Sequence, residues 1–255
     1  MRTPGLIVIL AGLISVSNVL GQQPELKPGE WNYSLTPYFW MSGINGNVSV
    51  KGVDAKIDAS FGELFKHFDG GFQIHFEATK DDWGYYIDPT YIKLSADGHT
   101  PRGEDVNISF KEWLVEVAGV HKLWTHCQSD TGKTDSMYLL FGGRYWSLDA
   151  DLDVGELVSK GGTQTWLDPF FGGRYMTSLS DLWTADGRLD IGGFGVGSSF
   201  TWNAAIYFGL RTAEKGSLWI GYRALNVNRK TGSGKDFFKW DVTYSGPALG
   251  YEFRF

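Results

Sequence analysis

Cysteine is almost missing from this chain. Its 255 residues include one, Cys127, so no intramolecular disulfide is available and the thiol is expected to be free. Long apolar runs are equally scarce: past the first twenty residues nothing approaches the roughly 20 consecutive apolar residues that carry a helix across a bilayer. There is no long basic run and the formal net charge is −6, which argues against nucleic acid as a partner. No Pro/Ser-rich linker divides the chain, so one domain is expected. Histidine, cysteine and carboxylates do not fall at metal-ligand spacing, and neither a metal nor a cofactor is expected.

What the chain does have is aromatic residues, at 16%, and 34 glycines. Both suit interfacial aromatic girdles and crowded, curved strands better than an ordinary enzyme core. The closing residues alternate with period two: Leu249, Tyr251, Phe253 and Phe255 on one face, Ala248, Gly250, Glu252 and Arg254 on the other. Large apolar groups opposite small or charged ones describe a strand between lipid and a watery lumen. The mean hydropathy of −0.20 would ordinarily suggest a soluble protein. Barrels evade that test because every second residue faces water.

At the other end, Arg2, an apolar core from Leu6 to Val16 and Val19-Leu20-Gly21 read as a secretory signal peptide over residues 1–21. That leaves 22–255 as the expected domain, exported to an oxidising compartment.

The clearest internal alternation sets Phe72, Ile74, Phe76 and Ala78 against Gln73, His75, Glu77 and Thr79, followed by a turn at Lys80 to Asp82 and a partner at Trp83 to Ser95. Similar segments run Asn107 to Gly119, Met137 to Leu148, Trp166 to Thr177, Arg188 to Gly197, Phe200 to Arg211 and Leu218 to Val227. Each is near the roughly 10 residues a tilted strand needs. The first segment, Trp31 to Met41 with Asn47 to Val50 beyond a glycine-rich break, is either one bent strand or two strands joined by a turn. Counted as one, it makes ten strands; eight or twelve stay open. The fold class expected is all-β, an antiparallel transmembrane β-barrel, with long connections at Asp58 to Asp69, Ala96 to Val106, Asp149 to Thr165 and Asn228 to Lys239 on the extracellular side. Gly62 to Phe68 is expected to form one helical turn over the mouth.

Phe141-Gly142-Gly143-Arg144-Tyr145 is echoed by Phe171-Gly172-Gly173-Arg174-Tyr175 and more loosely by Ile220-Gly221-Tyr222-Arg223. In the first two, Phe and Tyr should face lipid while the first glycine and the arginine face the lumen. These segments, with Ser34 to Trp40 (SLTPYFW), Asp88 to Ser95 (DPTYIKLS) and Gly246 to Phe255 (GPALGYEFRF), resemble a family of poorly characterised outer-membrane β-barrel proteins of Gram-negative bacteria. The closing strand also resembles the C-terminal signal by which such barrels are recognised for insertion. The resemblance implies an integral outer-membrane protein of porin-like type, with outer-membrane lipid and the barrel assembly machinery as partners.

Alternation places Gln73, His75, Glu77, Asp88, Glu112, Glu116, Arg144, Asp168, Arg174, Arg223, Glu252 and Arg254 inside. A charge network is expected over Glu112, Arg144, Asp168, Arg174, Arg223, Glu252 and Arg254, with Glu112, Arg144 and Asp168 at one height. Such a network either stiffens the barrel or sets the selectivity of a narrow conduit for small solutes or ions. The alternative to a conduit is a structural or surface-binding barrel with an occluded lumen. No catalytic residue is expected. An omptin-like protease, with its paired carboxylates and neighbouring Asp and His, is not expected, and no Ser/His pair for an acyl hydrolase or acyltransferase singles itself out.

The terminal alternation yields a prediction. Phe255→Asp should sharply lower the amount of folded protein in the outer membrane, read as heat-modifiable protein in outer-membrane fractions; an unchanged yield would dismiss the assembly role.

Overall fold

Residues of alternating character become strands because one side of each can then face lipid and the other the interior. The computed structural model describes residues 29–50, 53–99, 105–128, 133–154 and 158–255. The expected leader at 1–21 lies outside them.

Twelve strands occur among the described residues: β1 (Asn32–Trp40), β2 (Gly43–Val50), β3 (Val53–Ala59), β4 (Phe68–Lys80), β5 (Trp83–His99), β6 (Asp105–Cys127), β7 (Thr134–Val154), β8 (Val158–Ser178), β9 (Trp183–Gly192), β10 (Phe200–Ala213), β11 (Gly216–Thr231) and β12 (Phe238–Arg254). A short helix, α1 (Phe61–Phe65), lies between β3 and β4. Ten strands, β1 and β4 to β12, form an antiparallel ring that closes where β1 meets β12, with Ser34 opposite Arg254 and Trp40 opposite Ala248. The other two, β2 and β3, stand outside the closed ring.

The outward face is apolar along every flank. Val117, Phe141, Leu167, Phe171, Leu189, Ile206, Ile220 and Leu249 are all exposed, Leu189 to 62% and Ile220 to 54%. A soluble monomer rarely shows so continuous an apolar surface, whereas a bilayer requires it, and the closed ring leaves no unpaired strand edge around most of its circumference. The protein is a transmembrane β-barrel.

The structure corrects several boundaries. Strands β6, β7 and β8 run well past their expected ends, so the supposed loops at Ala96 to Val106 and Asp149 to Thr165 are largely hairpin, paired as far as His99 with Asp105 and Val154 with Val158. Asp149 to Val154 (DADLDV) keeps the period-two alternation, but its small and acidic residues suit a projecting hairpin better than a strand facing lipid. Strand β9 begins at Trp183, not Arg188, and the segment Gly193 to Ser199 is its turn. The first segment is also resolved. β1 and β2 together line the edge of β12, one bent partner from its viewpoint, but on its other side β2 pairs with β3, which was not among the expected strands and whose last two residues fall in the expected connection from Asp58. The bend at Met41 and Ser42 crosses β12 so closely that a Cβ on Gly246 would strike the Met41 carbonyl. Helix α1 starts one residue ahead of the expected turn because Ser60 caps it: the Ser60 hydroxyl accepts from the Glu63 N–H and the Glu63 carboxylate accepts from the Ser60 N–H. Hydrogen bonds from the Ser60 hydroxyl and backbone hold the Glu63 carboxyl below the usual carboxylate range.

Gly142 is needed for packing. A Cβ there would collide with the Val117 carbonyl oxygen and with Ala118 on the neighbouring β6, whereas Gly187 has open space around it. Gly142→Val should therefore lower the unfolding free energy by about 1–3 kcal/mol in urea titration of refolded protein, with Gly187→Ala nearly silent. Equal effects would contradict the close approach of β6 and β7.

Candidate functional site

The register decides which inward charges meet. Glu116 of β6 lies directly opposite Arg144 of β7, and on β9 the alternation sends Asp186, Arg188 and Asp190 to the same inner face. The result is a cluster in the middle of the lumen. Arg144 Nε donates to Glu116 Oε1 at 2.8 Å and its Nη2 to Asp190 Oδ1 at 2.9 Å. Arg188 Nη2 lies 2.9 Å from Glu116 Oε2 and 2.7 Å from Asp190 Oδ2. Arg223 Nη2 donates to Glu116 Oε1 at 2.6 Å while its Nε donates to Asn203 Oδ1 at 2.9 Å. Aromatic faces complete the surroundings: Phe170 beneath Arg144 at 4.9 Å, Tyr86 beside Arg188 at 5.4 Å and Trp40 under Arg223 at 4.9 Å. Arg144 is 0% exposed, and Glu116 and Asp190 are each 1% exposed.

A second tier lies towards the end of the barrel that carries Asn32 and Phe255. His75 Nδ1 is 2.9 Å from Asp88 Oδ2 and its Nε2 is 3.4 Å from Glu77 Oε2; a ring with a single proton can satisfy only one of them. Arg174 bridges Glu77 at 2.8 Å and Asp186 at 2.7 Å, and the Tyr38 hydroxyl donates to Asp88 at 2.6 Å. These side chains line a polar chamber of about 140 Å³. On the opposite side of the cluster the lumen is filled by rings: Trp40 against Tyr244 at 6.3 Å, Tyr244 against Trp146 at 6.0 Å and Trp146 against Trp166 at 5.6 Å.

The trio expected at one height is not the trio that pairs. Arg144 meets Glu116 and Asp190, not Glu112 or Asp168. Strand tilt explains this: Glu112 lies opposite Leu148, four residues along β7 from Arg144, and its Oε2 accepts from the Tyr244 hydroxyl at 2.7 Å. Asp168 does face Arg144 in register, but its oxygens are taken by the N–H and hydroxyl of Ser198, at 2.5 and 2.8 Å, and by Trp166 Nε1 at 3.0 Å. Asp168 thereby pins the short β9–β10 turn against β8. Arg174 and Arg223 join the inner network as described, while Glu252 and Arg254 pair with each other at 2.8 Å near the barrel's end. Leu249, Phe253 and Phe255 are exposed on the outer face, Tyr251 is partly buried and packs its ring at 4.8 Å from Phe253, and Cys127 is exposed. Asp186, Arg188, Asp190 and Asn203 escaped sequence reasoning. The period-two series Asp186, Arg188, Asp190 was the available signal; the expected strand began at Arg188 and so cut off Asp186.

Among the described residues no three His, Cys, Asp or Glu side chains are arranged to hold a metal ion. The chain matches no protein-family model and no curated protein. Its similarities are to solved structures of outer-membrane β-barrels. Ail, the attachment invasion locus protein of Yersinia pestis, in complex with the heparin analogue sucrose octasulfate, shares 13% identity over 88% of this chain and 98% of its own, with a TM-score of 0.37. The translocator domain of autotransporter NalP from Neisseria meningitidis shares 11% over 91% of each chain at 0.37. A FadL homologue from Pseudomonas aeruginosa shares 10% over 92% of this chain and 96% of its own at 0.28. Similarity at this level assigns no activity.

The pairing can be read by mutation. Arg144→Met alone leaves two buried carboxylates short of a partner and should cost about 3–5 kcal/mol. Combined with Asp190→Asn, the loss should fall short of the sum by about 1–3 kcal/mol, while combination with Glu112→Gln should be additive within about 0.5 kcal/mol. Coupling to Glu112 in place of Asp190 would overturn the register.

Proposed function

We propose that the protein is an integral barrel of the bacterial outer membrane whose lumen is occluded, serving a structural or ligand-binding role in place of an open water-filled pore. The observation that carries this reading is the buried Glu116, Arg144, Asp190, Arg223 cluster roofed by Trp146 and Trp166, which leaves side chains where a pore would need water. A ring of ten strands is only slightly wider than the eight-stranded rings that side chains fill. The apolar belt supports outer-membrane lipid as the surrounding medium, and export with assembly by the barrel machinery follows from that location. His75, the best-placed proton carrier, is engaged by Asp88 and Glu77, which are themselves held by Tyr38 and Arg174; this supports a lumen without covalent chemistry.

One observation favours the narrower conduit reading. Tyr38 lines both the polar chamber and a second, apolar cavity, so the two approach each other at its side chain. Planar-bilayer recording distinguishes the two. The occluded barrel should show no steady conductance, and Tyr38→Ala should leave it silent because the cluster stays intact. A resolved conductance in the wild-type protein, with a reversal potential that moves towards cation preference in Arg223→Ala, would establish a conduit.

A further inference from the structure

The wall of the barrel is not continuous along its height. β1 pairs with β4 from Asn32 opposite Thr79 to Pro37 opposite Ile74, and there the ladder stops. Pro37 has no N–H to extend it. Beyond it β1 stays with β12, its successor β2 takes β3 as a partner, and β3 shares no ladder with β4. The Gln73 side chain takes over at the break, its Oε1 accepting from the Trp40 N–H at 2.6 Å. Between the free flank of β4 and the β3–α1 segment lies a cavity of about 310 Å³, within the roughly 300–1,000 Å³ range of small-molecule sites.

The residues lining this cavity run from the outer face of the wall to the interior. At its outer mouth stand Phe39, Phe65 and Phe72, each exposed to 40–43% on the lipid-facing side. At its inner end lie Trp240, Tyr244 and Glu112. Glu112 is only 5% exposed, and among the described residues it has no cation partner; the Tyr244 hydroxyl alone donates to it. Every other buried lumen carboxylate named above has an arginine, histidine or multiple donors against it. A carboxyl group lacking such compensation at the end of an apolar passage is built to meet a donor supplied from outside.

We propose that this seam binds a single-chain amphiphile taken from the bilayer, its apolar tail among the mouth phenylalanines and an amine or hydroxyl head on Glu112. A carboxylate head is disfavoured by the same geometry, since Glu112 has no cation beside it to share. The proposal rests on the barrel lying in a membrane and is independent of whether the lumen conducts.

The test uses refolded full chain in nanodiscs of phosphatidylethanolamine and phosphatidylglycerol, with a long-chain alkylamine bearing a mid-chain diazirine and a matched fatty acid as photolabels. Mass spectrometry should find saturable amine labelling concentrated in residues 61–73 and 238–244, about tenfold above the fatty acid. Glu112→Gln should erase that preference. Ile57→Trp, on the β3 strand outside the closed ring, should block labelling of both segments while leaving the barrel heat-modifiable. Labelling spread evenly over outward residues such as Leu167 and Ile206, without saturation, would overturn the site while upholding the membrane placement. Equal labelling by amine and acid would overturn the assignment of the head group. No labelling on any outward segment would overturn both the site and the membrane reading.

Discussion

Five charged side chains from four strands must share the centre of a ring too narrow to hydrate them. Glu116, Arg144, Arg188, Asp190 and Arg223 lie within hydrogen-bonding distance of one another, and none can be removed without stranding another in a medium that penalises bare charge. Much of the interior is arranged around that requirement. Aromatic faces crowd in because they tolerate guanidinium groups and exclude water. Asn203 and Thr201 supply the remaining polar partners, and the lower tier of Glu77, Asp88, Asp186, Arg174 and His75 continues the same alternation of sign towards the barrel's end. The three guanidinium groups and two carboxylates of the centre leave one excess positive charge, which the carboxylate-rich second tier opposes.

The wall depends on a different constraint. In lipid an unpaired strand edge is costly, so a ring normally closes throughout. Here closure passes from β1 to β2 as β12 rises, and the β2–β3 hairpin with α1 stands where a continuous β1–β4 ladder would otherwise be. Aromatic packing covers the gap: Phe39 against Phe61 at 5.7 Å, Phe61 against Phe65 at 5.3 Å, and Phe65 against Phe68 at 5.9 Å. The closed cluster and the interrupted wall are thus complementary. A lumen sealed across its middle leaves the side of the barrel as the place where an apolar molecule can meet an interior polar group.

Much of this was legible in the sequence, and what was not has identifiable causes. Alternation located ten ring strands because lipid on one side and a polar interior on the other impose period two on each. It also placed Arg144, Arg174 and Arg223 inside. It missed β3 although Val53–Ala59 (VDAKIDA) alternates strictly, because at seven residues the segment is short of the roughly 10 that a wall-crossing strand needs. It began β9 five residues late, past Trp183 and Asp186, which hid the anionic partner of Arg174. Partner choice was beyond its reach for a geometric reason: strand tilt decides which residues share a height, so Glu116 and not Glu112 reaches Arg144, and Asp168 is claimed by the Ser198 turn. The seam was invisible because it arises from where pairing stops, at Pro37 and Ile74, a property of two strands together.

The central claim, that the charged cluster seals the lumen, is tested most directly by asking which side of the membrane can reach the chamber beneath it. Ala205 lines that chamber, and with Cys127 replaced by serine an Ala205→Cys substitution provides a single reporter thiol in oriented liposomes. A membrane-impermeant thiol reagent should label it only when added on the side that carries Asn32 and Phe255. Comparable labelling from the opposite side would show an open water path past Arg144 and would contradict the sealed lumen.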